Sequence, residues 1–378
     1  MNQLSSFILN SNRMPFKKIT PMILLVGWTF FGLTLIDLGI NLVFAYPSDP
    51  KNIDPSWSQL YFEYGRSTEG QLARMTRQNP SETAPITLTG WYDPLNVVEE
   101  PLKPHSSVVT FYGGSHTRRL ANALGRISNQ FTPRSVGAPG ATANWSYGAY
   151  LRDHGGDKSR AVVLTFNSNL FAMTSSLSPM IWSVDYPKPY TSDRFYLDGD
   201  QLKVIRPPYT SFDQYAKAFY DPSLWSATLA FFAKNDPDYN SFLVRASFLD
   251  HSSLFRLIHR AYGEQWTRDL QKSVLDKTGF RPDSEEVKIA LAIIHEFAEQ
   301  ARNRRMIPVI FIVNNLGYSD NLFRALEPVL ETDNIPYLSS HTVVDPNDPR
   351  GYLYDSHFTD ENDNLLAAAL VKVIENGK

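Results

Sequence analysis

The sequence predicts an α/β protein: a doubly wound parallel sheet with a large, mostly helical insertion, preceded by one transmembrane helix. Apolar runs of strand length alternate with helical patterns on both sides of the insertion, which implies a parallel sheet covered by helices on both faces. The stretch of about 171–283 departs from this rhythm and forms the insertion. Residues 21–46 are apolar and long enough to cross a bilayer of about 30 Å.

The composition of the chain argues against several classes of function. With 378 residues, of which 43% are hydrophobic and 20% charged, the chain can bury a sizeable core. The net charge of −3 gives no basic field, so nucleic acid is not an expected partner. The chain has no cysteine, its 8 histidines lack ligand spacing, and no Gly-rich phosphate loop occurs. We therefore expect no metal and no cofactor.

The apolar segment 21–46 is predicted to be an uncleaved anchor. Basic residues precede it: Arg13, Lys17 and Lys18. The positive-inside rule then places residues 1–20 in the cytoplasm and everything after the span outside, in the periplasm or on the cell surface. A cleaved signal peptide is the alternative, but its apolar region is normally shorter, and no small-x-small cleavage site follows Val43.

Two polar residues of the span, Asp37 and Asn41, lie one helical turn apart on one face. Polar groups inside a bilayer usually face a partner or water. One interpretation is therefore a docking face for a polytopic membrane acyltransferase. The other is that Asp37 lies near the outer leaflet and reaches toward the interface.

After the span, residues 47–104 are predicted to be a stalk that packs on the main domain, with a helical stretch at 60–75. The main domain is predicted to cover 105–378. Its strands begin at Val108, Phe131, Ala161, Ile307 and Pro336. Its last helix is expected at 361–375.

The insertion is predicted to contain a hairpin at 195–205, turning at Gly199-Asp200, and helices at 224–233, 242–261 and 266–276. Its aromatic residues offer stacking surfaces for sugars, although at this density aromatic residues more often belong to a core. Those singled out are Tyr186, Tyr190, Tyr209 and Trp225.

Polar groups follow several of the predicted strands. Ser115 follows a Gly-Gly pair on a tight strand-to-helix turn, Gly140 follows the second strand, and Asn169 follows the third. Parallel strands bring such groups to one edge of the sheet. A fourth polar stretch, which contains Asp355 and His357, precedes the last helix.

A hydrolytic serine needs a base, a carboxylate that orients the base, and donors for the oxyanion. His357 can be the base and Asp355 the orienting acid. The amides of Ser115 and Gly140, together with Asn169, can form the oxyanion hole. Each has a simpler alternative: a helix cap for the serine and the asparagine, a turn residue for the aspartate, and a surface loop residue for the histidine.

These motifs resemble those of the SGNH (GDSL-like) hydrolase superfamily. The matching blocks are Gly113-Gly114-Ser115, Gly140 in Ala-Pro-Gly-Ala-Thr, Asn167-Ser168-Asn169-Leu170 and Asp355-Ser356-His357. The resemblance implies a flavodoxin-like sheet, Ser115 as nucleophile, Asp355 and His357 as its dyad, and the oxyanion hole named above.

The chain departs from the family pattern at several positions. Gly114 stands where the first block has an acid, Asn167 where the third block has glycine, and Leu170 where that block ends in an acid. The Asp-to-His spacing is one residue short, which is similar to membrane-tethered or periplasmic SGNH proteins that acetylate exopolysaccharides. Asp360 and Asp363 are alternative acids, although both are expected on a solvated helix face.

The predicted function is therefore a membrane-anchored, extracytoplasmic serine acyl esterase or O-acyltransferase that acts on a cell-envelope or secreted polysaccharide. Its expected partners are an acylated polymer or an acyl donor, and a polytopic membrane acyltransferase. A second hypothesis is a catalytically inactive binding or scaffold subunit, favoured by the altered blocks. A lipase or thioesterase is a third, for which no long apolar groove is evident in the sequence.

Overall fold

The computed structural model describes residues 16–47, 53–75, 89–180, 182 and 188–377. Arg13 and the rest of residues 1–15, parts of the predicted stalk, and Tyr186 lie outside the described residues.

The strands of the described residues fall into one main sheet and two hairpins. They are, in chain order, β1 (Val97–Glu99), β2 (Ser107–Gly113), β3 (Phe131–Gly137), β4 (Ala161–Asn167), β5 (Arg194–Asp198), β6 (Gln201–Ile205), β7 (Leu275–Asp276), β8 (Gly279–Phe280), β9 (Ile307–Val313) and β10 (Tyr337–Ser339). The α-helices are α1 (Phe16–Val43), α2 (Trp57–Glu63), α3 (Thr68–Met75), α4 (Ser115–Ile127), α5 (Ala143–Arg152), α6 (Phe212–Tyr220), α7 (Pro222–Asn235), α8 (Ser241–Val244), α9 (Ser253–Val274), α10 (Glu285–Asn303), α11 (Asn321–Thr332) and α12 (Asp360–Asn376).

The main sheet has six strands in the order β1-β3-β2-β4-β9-β10. All neighbours are parallel except β1, which runs antiparallel to β3. Numbered along the chain, the parallel strands lie in the order second, first, third, fourth, fifth, which is the flavodoxin-like arrangement. The predicted fold class is therefore confirmed. The order reverses between β2 and β4, and ligands of such sheets bind at the carboxyl edge there.

The two faces of the sheet bury separate cores. Alternate residues of β2 point to opposite sides: Phe111 packs among residues of α4 and α12, and Tyr112 among residues of α5 and α10. Both side chains are completely buried. Burial on both faces explains why the parallel strands are continuous apolar runs instead of alternating ones.

The segment predicted as a stalk contributes to the sheet. β1 lies at 97–99 and pairs with β3, for example Val98 with Ser135, so the sheet begins before residue 105 and the predicted domain boundary there is wrong. The helix predicted at 60–75 is divided into α2 and α3. The turn between them contains Gly65, where a Cβ would overlap the backbone of Arg256 on α9, so glycine permits this close packing.

The insertion lies between β4 and α10, close to the predicted bounds. The β5–β6 hairpin turns at Gly199, whose φ is +61°, as expected. The helices predicted at 242–261 and 266–276 are wrong in their bounds: α8 has only four residues, and α9 is continuous across 253–274. Ser252 starts α9, because its side chain accepts a hydrogen bond from the Phe255 amide.

The aromatic residues singled out for sugar stacking serve the core instead. Tyr190 is 1% exposed and Trp225 is 8% exposed. Tyr209 is partly buried against the same core, and its hydroxyl lies 3.2 Å from that of Thr228. The interpretation as core residues is therefore correct for these three.

Within the described residues, α1 is the one helix whose length and hydropathy suit a membrane span, over Pro21–Val43. Asp37 and Asn41 face the first turn of α9. Asp37 Oδ1 accepts hydrogen bonds from the Ser252 hydroxyl at 3.0 Å and the Leu254 amide at 2.8 Å, and Asn41 Oδ1 accepts one from the Ser253 hydroxyl at 2.9 Å. The polar pair thus binds the chain's own insertion in this structure.

Candidate active site

Ser115 stands at the carboxyl end of β2, beside the point where the strand order reverses. It is the first residue of α4, and Gly114 is the N-cap, so the serine is not the helix cap. Its side chain is exposed. A Cβ at Gly113 would overlap the Thr117 hydroxyl on the first turn of α4, so glycine is needed for a turn this tight.

His357 and Asp355 complete a triad with Ser115. The Ser115 Oγ lies 2.6 Å from His357 Nε2, and His357 Nδ1 lies 2.9 Å from Asp355 Oδ2. Asp355 Oδ1 also accepts a hydrogen bond from the His357 amide at 3.3 Å. Burial acts to raise the pKa of Asp355, but the hydrogen bonds and charge of His357 outweigh it, and the pKa is lowered. Asp355 is therefore ionised and accepts the hydrogen bond from His357 Nδ1–H.

The loop that carries the dyad is closed on itself. Tyr352 and Phe358 form an antiparallel bridge, and the Leu353 amide donates to the His357 carbonyl at 2.6 Å. Between them, Ser356 takes a φ of +66°, a left-handed conformation that lets the chain reverse within two residues. This tight reversal places His357 Nδ1 within hydrogen-bond distance of Asp355, although the Asp-x-His spacing is one residue shorter than the family pattern.

Arg119, one turn after Ser115 on α4, ties the serine's helix to the dyad loop. Its guanidinium donates to the Phe358 carbonyl at 3.0 Å, to Asp363 Oδ2 at 2.7 Å and to Asp360 Oδ1 at 2.8 Å. The alternative acids of the sequence thus bind Arg119, while Asp355 binds the histidine. Asp360 has 85% of its side chain exposed, as expected, but Asp363 has only 2%, so the expectation of a solvated face is wrong there. Burial raises the pKa of Asp363 to about 6 despite the arginine.

Gly140 lies in the loop after β3, which packs on the Gly113-Gly114 turn. The Ala138 amide donates to the Gly113 carbonyl at 3.3 Å, and a Cβ at Gly114 would lie 3.3 Å from the Ala141 nitrogen. An acidic side chain at 114 would therefore crowd this loop. Gly140 has a φ of +63°, a conformation that favours glycine.

Asn169 follows β4 on the other side of β2. Its backbone N–H is already used, because it donates to Asn167 Oδ1 and Asn315 Oδ1, each at 3.2 Å. The exposed side-chain amide of Asn169 is thus its candidate donor for an oxyanion. Asn167, which replaces the glycine of the family block, acts as the N-cap of the short 3-10 helix Ser168–Met173.

The sequence analysis missed two polar residues that support the site. Asn315 follows β9 at the same sheet edge; its Oδ1 also accepts from the Ser168 hydroxyl at 2.9 Å, and its Nδ2 donates to His116 Nε2 at 3.3 Å. The His116 ring packs on the His357 ring with centroids 4.7 Å apart. The sequence signal that could have identified Asn315 is the polar pair Asn314-Asn315 directly after a strongly apolar strand.

His116 is held uncharged beside the dyad. Burial, followed by the nearby charges of His357 and Arg119, lowers its pKa to about 3. Because the side-chain nitrogen Nδ2 of Asn315 can only donate, Nε2 of His116 accepts, and the proton of the neutral ring lies on Nδ1. His357 therefore packs against a neutral ring.

A cavity of about 430 Å³ opens beside Ser115. Val98, Val136 and Ala138 supply apolar lining, and Asn96 and Ser135 supply polar groups. Arg118, whose side chain is exposed on α4, also lines the cavity. The volume suits a small acyl group or a sugar unit, and it lies toward the lower end of ligand pockets.

Fold and site together define an α/β protein with a Ser–His–Asp triad at the carboxyl edge of a flavodoxin-like sheet. No protein-family model matches the sequence, and no curated protein matches it.

Solved structures that are similar to the chain include two G-D-S-L proteins. One is a G-D-S-L family protein from Desulfitobacterium hafniense DCB-2, with 13% identity and a TM-score of 0.33, covering 71% of this chain and 99% of that one. The other is a GDSL-like lipase from Bacteroides thetaiotaomicron VPI-5482, with 11% identity and a TM-score of 0.34, covering 72% of this chain and 89% of that one. Both carry the name of the superfamily that the motifs resemble.

Proposed function

We propose that this protein is an SGNH-type serine acyl esterase or O-acyltransferase. The observation that carries the proposal is the continuous chain of hydrogen-bond distances from Ser115 through His357 to Asp355, 2.6 Å and 2.9 Å. A nucleophile, its base and the group that orients the base are recognised by such geometry and not by their order in the sequence.

In the proposed reaction the Ser115 oxygen attacks the carbonyl carbon of an ester while His357 Nε2 takes the hydroxyl proton. Asp355 stays ionised, accepts the hydrogen bond from His357 Nδ1–H and stabilises the imidazolium. Collapse of the tetrahedral intermediate breaks the ester bond, and Nε2 returns the proton to the leaving alcohol. Water, or the hydroxyl of an acceptor, then attacks the acyl-serine with the same histidine as base.

The developing oxyanion needs donors at the carboxyl edge of the sheet. We assign these to the amides of Ser115 and Gly140 and to the side chain of Asn169. The loop of Gly140 packs on the Gly113-Gly114 turn, and the backbone N–H of Asn169 is tied to Asn315, which leaves its side-chain amide as the donor. The altered residues Gly114 and Asn167 have structural roles in this arrangement.

The proposed substrate is an O-acylated polysaccharide of the cell envelope or a secreted one. Ser115 is exposed and 44% of the Asp355 side chain is exposed, so a polymer can reach the triad without a channel. The cavity beside Ser115 offers both apolar and hydrogen-bonding groups, which suits a short acyl group on a sugar. Hydrolase and transferase differ in whether the second step uses water or a sugar hydroxyl.

The proposal places the catalytic domain outside the membrane, anchored by α1. A polytopic membrane acyltransferase remains a proposed partner. Since Asp37 and Asn41 bind the insertion, such a partner would contact the other, apolar faces of α1, which are exposed along the span.

The test is hydrolysis of an activated acetyl ester by the full chain in detergent. We expect Ser115→Ala and His357→Ala each to lower kcat/KM by about 10⁴-fold or more. Ser223→Ala is the matched control, because Ser223 is an exposed serine on α7 that does not line the cavity.

Activity of Ser115→Ala equal to that of the wild type would contradict the assignment. If the folded wild type neither hydrolyses the ester nor reacts with a serine-directed probe, the scaffold hypothesis replaces the enzyme.

A further inference from the structure

We propose that the tip of the insertion lies in the outer surface of the membrane, beside α1. The insertion tip is defined here as residues 247–258, which lead into and form the first turns of α9. The proposal rests on the proposed membrane span, and it adds a second contact between the catalytic domain and lipid.

The tip is bound to α1 at a defined level. Asp37 accepts hydrogen bonds from the Ser252 hydroxyl and the Leu254 amide at 3.0 Å and 2.8 Å, and the Ser253 hydroxyl donates to Asn41 at 2.9 Å. A carboxylate that accepts a backbone N–H at a helix N-terminus is a favourable contact. The start of α9 therefore lies at the same height as Asp37.

The height of Asp37 can be estimated from helix geometry. A hydrocarbon layer of about 30 Å takes about 20 helical residues. If the layer begins just after Lys18, it ends near Leu38, and Asp37 lies at its outer boundary. If instead the layer extends to Val43, the last residue of α1, Asp37 lies about 9 Å deeper than the end of the span. In both cases the insertion tip lies at the outer boundary of the hydrocarbon layer or inside the layer.

The surface of the tip is apolar and exposed. Phe248 is 83% exposed, Ile258 is 64% exposed and Leu249 is 38% exposed. Large apolar side chains this exposed, in one segment, mark an interaction surface. Since the segment is bonded to a helix suited to a bilayer, lipid is the partner that lies next to it.

A second element supports the same position. Trp57 on α2 is 78% exposed, and tryptophan is enriched at membrane–water interfaces. α2 lies beside the end of α1, because the Gln59 side chain donates to the Ala45 carbonyl at 2.6 Å and the Phe44 and Phe62 rings stack with centroids 5.6 Å apart. Exposed apolar residues thus flank α1 on two elements.

Two attachments restrict the tilt of the catalytic domain more than one helix can. A single α1 would let the domain rotate about the end of the span. With the tip also held in the interface, the sheet edge that carries Ser115 keeps a defined orientation to the membrane.

The absence of cysteine makes a direct test possible. Single-cysteine variants of the full chain are labelled with an environment-sensitive fluorophore and reconstituted in lipid nanodiscs, with or without nitroxide-labelled lipid. Phe248→Cys reports on the tip. Phe30→Cys, in the middle of α1 and 68% exposed, is the control for lipid, and Leu102→Cys, 66% exposed at the start of the main domain, is the control for water.

We expect the nitroxide lipid to quench the label at 248 at least about twofold more strongly than the label at 102. Quenching at 248 no stronger than at 102, with strong quenching at 30, would overturn the proposal while leaving the anchor intact. A blue-shifted but unquenched label at 248 would mean that protein covers the tip, which also overturns it. Absence of quenching at 30 would refute the membrane span itself, and with it the anchored form of the proposed function.

Discussion

Arg119 offers a test of how the triad is held together. Replacing it with methionine keeps the apolar stem on α4 but removes the hydrogen bonds to the Phe358 carbonyl and to Asp363. Asp363 would then be a carboxylate with 2% of its side chain exposed and without its hydrogen-bonded arginine. The residue after His357 would lose its tie to the helix of Ser115.

The expected loss of stability follows from the burial of the Arg119–Asp363 ion pair. Removing one partner of a fully buried ion pair costs about 3–5 kcal/mol. Because 28% of the Arg119 side chain is exposed, we expect less, about 2–3 kcal/mol of unfolding free energy at pH 8. Burial already holds the pKa of Asp363 at about 6, above the unfolded value, so this carboxyl favours the folded state most at low pH. Loss of Arg119 raises that pKa further, so the loss of stability is smaller at pH 5 than at pH 8.

The assay measures thermal unfolding and ester hydrolysis of Arg119→Met, with Asp360→Asn as the matched control. Asp360 binds the same arginine but is exposed, so its loss should change stability by less than about 1 kcal/mol. We expect kcat of Arg119→Met to fall about 10-fold or more, since small misplacement of a base is costly. Equal, small effects of both variants, with no pH dependence, would refute the role of Arg119.

Further predictions concern the groups around the triad and a buried acidic pair in the insertion. Asp355→Asn should lower kcat/KM by about 10³–10⁴-fold, since His357 loses the carboxylate that orients it; a loss below tenfold would mean that another acid serves. His116→Phe keeps the ring contact with His357 but leaves the Asn315 amide without its acceptor, so stability should fall by about 1–2 kcal/mol. Burial and the neighbouring charges hold the pKa of His116 at about 3, so the acid limb of the pH–rate profile of His116→Phe should lie at the same pH as that of the wild type. A displacement of that limb by a full pH unit would show that the wild-type ring is charged. Asp238 and Asp236 share the insertion core, where burial raises their pKa values to about 7 and about 6. Both pKa values exceed that of an aspartate in the unfolded chain, so the folded state loses stability as the pH rises from about 4 to 7. Asp238→Asn should flatten that dependence and raise the free energy of unfolding at pH 8 by about 2 kcal/mol, as measured by unfolding at about pH 4 and at pH 8. An unchanged pH dependence in Asp238→Asn would contradict this explanation.

The sheet could be predicted because its parallel strands are apolar on both sides and end in polar or glycine residues. Ser115, Gly140 and Asn169 each follow such a strand, so their meeting at one edge is a consequence of strand direction. The dyad could be predicted from its place before the last helix. These features are local in the sequence or follow from the strand pattern.

The supporting contacts could not be predicted, because they join distant parts of the chain. Arg119 and Asp363 are 244 positions apart, and on the helical pattern alone both look like solvated charges. The three-residue strand β1 is too short to give a periodic signal. The spacing of Asp37 and Asn41 indicated a shared face, but the partner, more than 200 positions away, is visible only in the fold.

The central claim is that Ser115 is a nucleophile activated by His357. The most direct measurement is reaction of the full chain with a fluorophosphonate probe, with the modified residue located by mass spectrometry. The proposed triad predicts one label per chain, on Ser115, with a rate that falls sharply in His357→Ala and is unchanged in Ser223→Ala, which alters an exposed serine outside the cavity. A folded protein that takes no label, or takes it at a serine other than Ser115, would contradict the claim.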